Sequence, residues 1–208
     1  MPNSSKNLMD KAAQTRYPIH DLLRQRWSPY AFSDRMVESE KLHSVLEAAS
    51  WAASSYNEQP WTFIVATSEN QVEFERLLSC LAEGNQEWAR SVPILMLSVA
   101  KLNFEYNGVE NRHAFHDGAA STTLAIQAAD LGLFIHQMAE FDIPKTKELY
   151  NIPSGYEPVS AIALGYFGEP QTLSKKLQQR ENAPRKRKPL EEFVFSGSWN
   201  QISPLVTS

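Results

Sequence analysis

Apolar side chains recur along the chain in two patterns, one typical of helices and the other of strands. Spacings of three and four residues predict helices over residues 8–25, 41–52, 72–81, 111–131 and 142–150. Continuous apolar runs predict strands over 62–67, 94–100, 133–138 and 159–166, and a short late strand over 193–195. Because the late strand follows a long polar segment, we expect it to pair with a sheet edge of this chain or of a partner subunit.

Proline, glycine and asparagine mark where the predicted helices break or end. Pro18 divides the first helix into two pieces, because it lacks the backbone N–H that a helix needs. Gly84 and Asn85 are expected to cap the third helix, and Gly132 to end the fourth. The helix over 111–131 is apolar on most of its surface, so we expect it to be buried centrally or against a second copy of the protein.

A polar loop over residues 53–61 joins the helix over 41–52 to the first predicted strand. Its two adjacent hydroxyls and two carboxamides come from Ser54, Ser55, Asn57 and Gln59. So many donors and acceptors in a short segment suit the edge of a flat polar heterocycle. The alternative interpretation is a solvated connection between a helix and a strand.

Length and composition predict one globular domain without a membrane span. The 208 residues are enough for one substantial core, so we predict a single domain over 1–208. No apolar run approaches the roughly 20 residues that cross a bilayer. The net charge of −4 disfavours general nucleic-acid binding. Cys80 is the single cysteine, so no internal disulfide is possible, and together with the lack of a signal-peptide core in the first residues this favours the cytoplasm. The Cys80 side chain is expected to be a buried structural thiol.

Positive charge is concentrated near the two ends of this acidic chain. Between residues 175 and 188, seven Lys and Arg residues accompany one acidic residue, Glu181. Near the N-terminus, Arg26 and Ser28 lie close together, and arginine with serine can bind a phosphate. We therefore expect a local anion site, with a solvated basic tail as the alternative.

Motifs for several other chemistries are missing from the sequence. His113 and His116 share a helical face, but no acidic or cysteine residue is placed to complete a metal site with them, so no metal is expected. The chain has no Gly-x-Ser-x-Gly, no Gly-x-Gly-x-x-Gly and no Walker-type loop. Hydrolysis through a nucleophile elbow and nucleotide binding by these routes are therefore disfavoured.

Five motifs occur in order between about residue 22 and residue 195: Arg26-Trp27-Ser28-Pro29 with Phe32, Ser54-Ser55-x-Asn57-x-Gln59-Pro60-Trp61, Leu131-Gly132-Leu133, Ala163-Leu164-Gly165-Tyr166 and Arg187-Lys188-Pro189-Leu190-Glu191. Together they resemble those of the FMN-dependent nitroreductase family, the NAD(P)H nitroreductase-like flavoproteins. The resemblance implies an α+β fold, a three-layer α/β/α sandwich whose central sheet is mostly antiparallel. It also implies a homodimer with two FMN molecules at the interface, and a C-terminal extension, about 171–208, that reaches the partner subunit.

The resemblance assigns the flavin phosphate to Arg26 and Arg187, with Trp27 and Ser28 helping from the first segment. At Tyr30 the chain departs from many relatives, which carry a second basic residue at this position near the N1/O2 edge of the flavin. A tyrosine is neutral at pH 7. The departure leads to the hypothesis that the flavin of this protein is harder to reduce than in relatives with a cation there.

For the rest of the cofactor, the resemblance implies contacts from the polar loop and from the third strand. Contacts from the other subunit or the neighbouring face are expected from Ser54, Ser55 and Asn57, with Gln59 as a further polar contact. Gln137 and Met138 are expected beside the isoalloxazine ring. No catalytic side chain is expected, because the flavin carries the chemistry and the protein supplies position and electrostatics.

The implied activity is ping-pong hydride transfer from NADH or NADPH through FMN to a nitroaromatic, a quinone or a similar electrophile. Residues 101–110 have no clear period and are expected to be a mobile connection that could cover such a site. One alternative is specialised flavin chemistry on the same fold, such as reductive dehalogenation. Another is a non-catalytic flavin-binding or redox-sensing protein.

Overall fold

The computed structural model describes residues 11–111 and 113–207, which fold around a four-stranded sheet. The helices are α1 (Asp21–Gln25), α2 (Ser39–Ser50), α3 (Gln71–Leu78), α4 (Glu83–Ala89), α5 (His113–Asp130), α6 (Ile143–Leu149) and α7 (Lys175–Asn182). The strands are β1 (Trp61–Thr67), β2 (Ile94–Lys101), β3 (Phe134–Met138) and β4 (Tyr156–Gly165). Short 3₁₀ turns occupy Ser55–Asn57, Pro170–Thr172, Leu190–Glu192 and Pro204–Val206.

Neighbouring strands in the sheet are antiparallel, in the order β1-β2-β4-β3. Thr67, the last residue of β1, lies opposite Ile94, the first residue of β2. Ile94 in turn lies opposite Leu164 near the end of β4, and Phe134 at the start of β3 lies opposite Gly165. One end of the sheet, which we call end A, therefore holds the ends of β1 and β4 and the beginnings of β2 and β3. End B is the opposite end.

Helices cover both faces of the sheet and make three layers. On one face, α2 and α5 pack against the strands, and the core there includes Val45, Leu124 and Ile162. On the other face, α3 and α4 contribute Phe74 and Trp88 to a second core. Successive residues of a strand point to opposite faces, which is why the central strands are apolar at almost every position. The expected α+β fold with α/β/α layers and an antiparallel sheet is confirmed.

The segment over residues 24–33 is tied to the end of β4. Phe32 forms an isolated antiparallel bridge with Phe167, and the N–H of Gly168 donates to the carbonyl of Ala31 at 3.0 Å. A Cβ on Gly168 would lie 2.4 Å from the backbone carbonyl of Phe32, so this close approach requires glycine. The sheet therefore fixes this segment at end A.

The four main predicted strands correspond to β1 to β4, and the predicted helices over 41–52, 72–81, 111–131 and 142–150 correspond to α2, α3, α5 and α6. Asp142 caps α6 as expected, with its carboxylate accepting the N–H of Lys145 at 2.9 Å. Gly132 follows α5 with a positive φ of 72°, which glycine adopts without strain. The thiol of Cys80 is free and buried, as predicted.

The prediction of a long N-terminal helix is wrong in most of its described part. From residue 11 to residue 20 the backbone forms turns and irregular structure, and helix is restricted to α1. Ile19 and Leu23 are 43% and 44% exposed, so a helix here has little core to pack against. Short helices without such packing are marginal in water, and Pro18 removes a further helical hydrogen bond.

The predicted cap at Gly84 and Asn85 is also wrong, because both residues lie inside α4. This short helix buries Trp88 and Ala89 in the core. The apolar area that they remove from water outweighs the unfavourable helix propensity of one glycine. Helix α7 was not predicted, because its residues are almost all polar and Leu177 is its one buried apolar side chain.

The late strand predicted over 193–195 is wrong as a member of the sheet in the described chain. Phe195 instead forms an isolated bridge with Ile202, which folds the tail back on itself. Phe193, Trp199 and Leu205 in this tail are 56%, 84% and 88% exposed. The single-domain organisation over 1–208 and the reach of residues 171–208 to a partner subunit stay predictions.

Candidate functional site

Arg26 lies where α1 ends, beside a cavity of about 570 Å³ at end A of the sheet. The walls of this cavity are formed by Ala12, Gln14, Arg24, Gln25, Arg26, Ala129, Gly132, Leu133 and Phe134. One wall thus comes from the segment around α1, and the other from the turn that joins α5 to β3. The side chain of Arg26 is half-buried, so its charge lies in a partly desolvated position.

Two further arginines from the segment after α7 lie near Arg26. Burial lowers the pKa of Arg26, and the neighbouring guanidinium of Arg187 lowers it further. Burial also lowers the pKa of Arg185, with further lowering by Arg26 and then by Arg187. The sequence motifs pointed to Arg26 and Arg187. Arg185 was missed, although its place two residues before Arg187 was a signal that could have found it.

No ion pair in the described parts of the chain joins Arg26, Arg185 or Arg187 to a carboxylate. Like charges held close together repel one another unless an anion neutralises them. Guanidinium groups bind phosphate oxygens through two parallel hydrogen bonds. The cluster of Arg26, Arg185 and Arg187, which we call the arginine cluster, is therefore chemically suited to a phosphate monoester.

The polar loop lies at the opposite corner of the sheet. It leads into Trp61, which begins β1 at end B, whereas the arginine cluster lies at end A near the start of β3. Strands β1 and β3 are the two outer strands in the order β1-β2-β4-β3. The length of β1 alone separates the two ends by roughly 20 Å at about 3.4 Å per residue. Within one chain, the loop and the arginine cluster are not brought together.

The backbone of the polar loop adopts left-handed conformations that side chains other than glycine rarely take. Tyr56, Asn57 and Gln59 have φ values of 53°, 56° and 47°. Two hydrogen bonds hold this shape: the N–H of Gln59 donates to the hydroxyl of Ser54 at 3.0 Å, and its carboxamide donates to the carbonyl of Asn57 at 3.1 Å. Strained backbone of this kind persists where surrounding contacts determine it and is frequent at functional sites.

Aromatic side chains beside this loop connect it to the segment after β2. The ring of Tyr56 lies 5.3 Å from the ring of Tyr106 and 6.2 Å from that of Phe104. The N–H of Glu105 donates to the carboxylate of Glu58. Tyr56 and Tyr106 are 80% and 60% exposed, so together with the loop they form a polar and aromatic surface at end B.

Gln137 and Met138 point to opposite faces of β3. Gln137 is an exposed residue, and its carboxamide donates to the carbonyl of Ser121 on α5 at 3.4 Å. Met138 is 4% exposed and packs in the core beneath α3 and α4. Of the two side chains predicted beside a flavin ring, Gln137 is thus the accessible one.

Near the arginine cluster, Trp27 and Tyr30 are packed into the protein, while Ser28 is exposed. The indole of Trp27 is 6% exposed. The ring of Tyr30 packs against Trp88, with 5.6 Å between the ring centres, and at 4.8 Å from His136. A side chain in these contacts has its ring in the core, and the predicted cofactor contacts of Trp27 and Tyr30 stay predictions.

His136 holds the segment that carries Arg26 against β3. Its ring nitrogen Nδ1 lies 2.7 Å from the carbonyl of Pro29, the distance of a hydrogen bond in which a protonated Nδ1 donates. Burial lowers the pKa of His136, and the hydrogen bond to Pro29 opposes this effect in part. The geometry therefore favours a neutral imidazole with its proton on Nδ1 near pH 7.

We expect the free energy of unfolding to fall as the pH drops below 6.5, the ordinary pKa of histidine. Because the pKa of His136 is lowered in the folded protein, the unfolded chain takes up the proton first, and acid favours unfolding. His136→Gln removes this titration and should flatten the decline by at most about 1.4 kcal/mol per pH unit. Urea unfolding from pH 5 to pH 8 measures the slopes, with the exposed His43→Gln on α2 as the control. Equal slopes in wild type and His136→Gln would contradict the assignment.

The described residues hold no group of three His, Cys, Asp or Glu side chains that could bind a metal ion. The side chain of His113 lies outside the described part of the structure, so the pair with His116 is not resolved as a site. Among the described residues, no helix is both long enough and apolar enough to cross a membrane.

Part of the chain matches a family model, and most of it is similar to two known proteins. The family model described as the nitroreductase family matches residues 23–93, a range that contains Arg26 and the polar loop but ends before the segment with Arg187. A protein of Mycolicibacterium smegmatis, described as an uncharacterized 15.4 kDa protein in the ask 5′ region, is 32% identical over 126 residues, which cover 61% of this chain and 84% of that protein. Iodotyrosine deiodinase 1 of Sus scrofa is 23% identical over 221 residues, covering 88% of this chain and 73% of the deiodinase.

The fold is also found among solved structures. A crystal structure described as that of the oxidoreductase containing FMN superimposes with a TM-score of 0.84 and 32% sequence identity. The superposition covers 90% of this chain and 96% of the other. The similarity therefore extends over both the arrangement of the sheet and nearly the whole length of that oxidoreductase.

Proposed function

Because the chain belongs to the nitroreductase family, we propose that it is an FMN-dependent NAD(P)H oxidoreductase that reduces a nitroaromatic, a quinone or a similar electrophilic acceptor. The observation that carries this proposal is the arginine cluster beside the cavity at end A. Its unneutralised cations fit the phosphate of FMN. The similarity to an oxidoreductase described as containing FMN supports the same cofactor.

In this proposal, Arg26, Arg185 and Arg187 bind the phosphate and thereby set where the rest of the cofactor lies. Ser28, which is exposed two residues after Arg26, adds a hydroxyl donor to the phosphate. The bound flavin would supply the hydride chemistry between NAD(P)H and the acceptor. The side chains of this chain are assigned to binding and orientation, and none of them is assigned a covalent or acid–base step.

We also propose that the site is completed by a second copy of the chain. The polar loop with Ser54, Ser55, Asn57 and Gln59 lies at the corner of the sheet diagonally opposite the arginine cluster. A cofactor that contacts both elements therefore requires the loop of a partner subunit. The exposed apolar residues of the tail, among them Phe193, Trp199 and Leu205, support an extensive interface of this kind.

The proposal is tested first by the absorption spectrum of the freshly purified protein, followed by anaerobic addition of NADH or NADPH. We expect flavin bands that bleach on addition of the donor and return when menadione or a nitroaromatic is added. A flavin that binds but does not bleach would favour the non-catalytic flavin-binding or redox-sensing alternative. A colourless protein that takes up no added FMN would reject the assignment of the cofactor.

Reductive dehalogenation is a second candidate because iodotyrosine deiodinase 1 is similar over 88% of this chain. The exposed aromatic rings of Tyr56 and Tyr106 would suit an aromatic halide as well as a nitroaromatic. Release of iodide from 3-iodotyrosine, measured with the dithionite-reduced protein, distinguishes the two activities. Iodide release faster than nitroaromatic reduction would favour the dehalogenase.

A further inference from the structure

We propose that Glu181 is a positioning residue that fixes the arginine-bearing segment for phosphate binding. This inference rests on the proposed function, because it concerns the phosphate end of the proposed FMN site. Glu181 is the last acidic residue before the arginines of the C-terminal segment, and it lies near the end of α7. Its side chain is 1% exposed, which is rare for a glutamate.

The carboxylate of Glu181 binds the backbone that follows Arg26. Its oxygen Oε2 accepts the N–H of Tyr30 at 2.6 Å and the N–H of Ala31 at 3.2 Å. These two donors are separated from Glu181 by about 150 residues of chain, so the contact joins α7 to a remote part of the sequence. Hydrogen bonds from backbone N–H groups to a carboxylate are stronger than those to a neutral acceptor.

Two basic side chains also join the segment after α7 to the N-terminal part of the chain. The ammonium of Lys11 donates to the carbonyl of Ala183 at 2.7 Å and lies 4.9 Å from the ring centre of Trp27. The guanidinium of Arg185 donates to the carbonyls of Lys11 and Arg24 at 2.9 Å and 2.8 Å. The segment from Glu181 to Arg185 is thereby held to residues 11 and 24–31 by three charged side chains.

These contacts decide where the arginines of the two segments meet. Arg26 lies between the two anchored points at residues 24 and 30, and Arg187 follows Arg185 by two residues. Burial raises the pKa of Glu181, whereas its hydrogen bonds from Tyr30 and Ala31 and the charge of Lys11 lower it. A buried carboxylate next to a phosphate site repels the ligand, so Glu181 is unfavourable there unless it has another role. Its hydrogen bonds to the backbone N–H groups of Tyr30 and Ala31 supply such a role.

The chemistry of Glu181 gives a set of matched variants. Glu181→Gln keeps an oxygen that can accept both N–H groups, while Glu181→Ala leaves Tyr30 and Ala31 without their acceptor. Glu181→Asp retains the charge, but its side chain is shorter by one methylene, so the carboxylate lies farther from the N–H groups of Tyr30 and Ala31. Glu75→Ala removes an exposed glutamate of α3 and serves as the control.

The test compares the dissociation constants of FMN and riboflavin for the flavin-free full-length protein, measured by fluorescence titration. Riboflavin lacks the phosphate, so a defect in the phosphate site affects FMN alone. We expect Glu181→Ala to weaken FMN binding about tenfold or more, equivalent to roughly 1.4 kcal/mol, and to leave riboflavin binding within twofold. Glu181→Gln should stay within threefold of wild type for both flavins, and Glu75→Ala should be unchanged.

The outcomes separate positioning from general destabilisation. An equal loss of FMN and riboflavin affinity in Glu181→Ala would overturn the inference, as would FMN binding within twofold of wild type. If the alanine variant does not fold, Glu181→Asp is measured in its place, with the same selective loss of FMN expected. If the wild-type protein binds neither flavin, the proposed function itself is rejected. If wild type binds FMN and Glu181→Ala binds it equally well, only the inference about Glu181 is rejected.

Discussion

Replacing Arg26 with alanine is expected to weaken FMN binding about 10- to 150-fold, because the cofactor phosphate loses charge-assisted hydrogen bonds worth roughly 1.5–3 kcal/mol. The half-buried position of Arg26 increases this effect, since partly desolvated charges interact more strongly than exposed ones. Arg26→Lys should lose less, because lysine keeps the charge but not the two-pronged geometry. The dissociation constants are measured by titrating the flavin-free protein with FMN.

Two controls make the Arg26 result specific. Riboflavin binding should change little in Arg26→Ala, because riboflavin has no phosphate. Arg90→Ala removes an exposed arginine that follows α4, far in sequence from the arginine cluster, and should bind FMN like wild type. FMN affinity of Arg26→Ala within threefold of wild type would show that the phosphate lies elsewhere, and the proposed site would have to be moved.

Replacing Trp88 with alanine is expected to lower the free energy of unfolding by about 3–5 kcal/mol, the usual cost of removing a buried aromatic side chain. Trp88 is 2% exposed, and its ring contacts Phe32, Tyr30 and His136 at 6.0, 5.6 and 4.7 Å between ring centres. Trp88 belongs to the hydrophobic core on this face of the sheet, and the neighbours of a deleted core side chain usually relax only in part into the space that it leaves. The change is measured by urea unfolding of the flavin-free protein.

The consequence of this substitution should extend to the cofactor site. Tyr30 and Phe32 belong to the segment that follows Arg26, and His136 contacts the same segment. FMN binding should therefore weaken together with stability in Trp88→Ala. Trp88→Phe retains an aromatic ring and should lose less of both. Val72→Ala changes an apolar side chain that is 71% exposed and should stay within about 0.5 kcal/mol of wild type. A loss below 1 kcal/mol in Trp88→Ala would show that the core there rearranges to fill the space.

Local pattern was sufficient to predict the main elements of the sheet. The run over 94–100 became β2, because a continuous apolar run of this length is stable only where both faces are covered. The alanine-rich helix became α5, which packs across the sheet as its composition indicated. Two of the predictions that failed, the N-terminal helix and the cap at Gly84, depended on whether nearby apolar residues found a core, which local sequence does not encode.

The sequence by itself determined the fold class, the resemblance to the nitroreductase family, and two of the three members of the arginine cluster, Arg26 and Arg187. The fold class and the two arginines follow from that resemblance, which rests on motifs of the chain itself. The tertiary structure alone decided that Arg185, Glu181 and His136 converge on the same segment as Arg26. It also decided that the polar loop lies at the opposite corner of the sheet, because strand order and direction arise from packing between residues far apart in the chain.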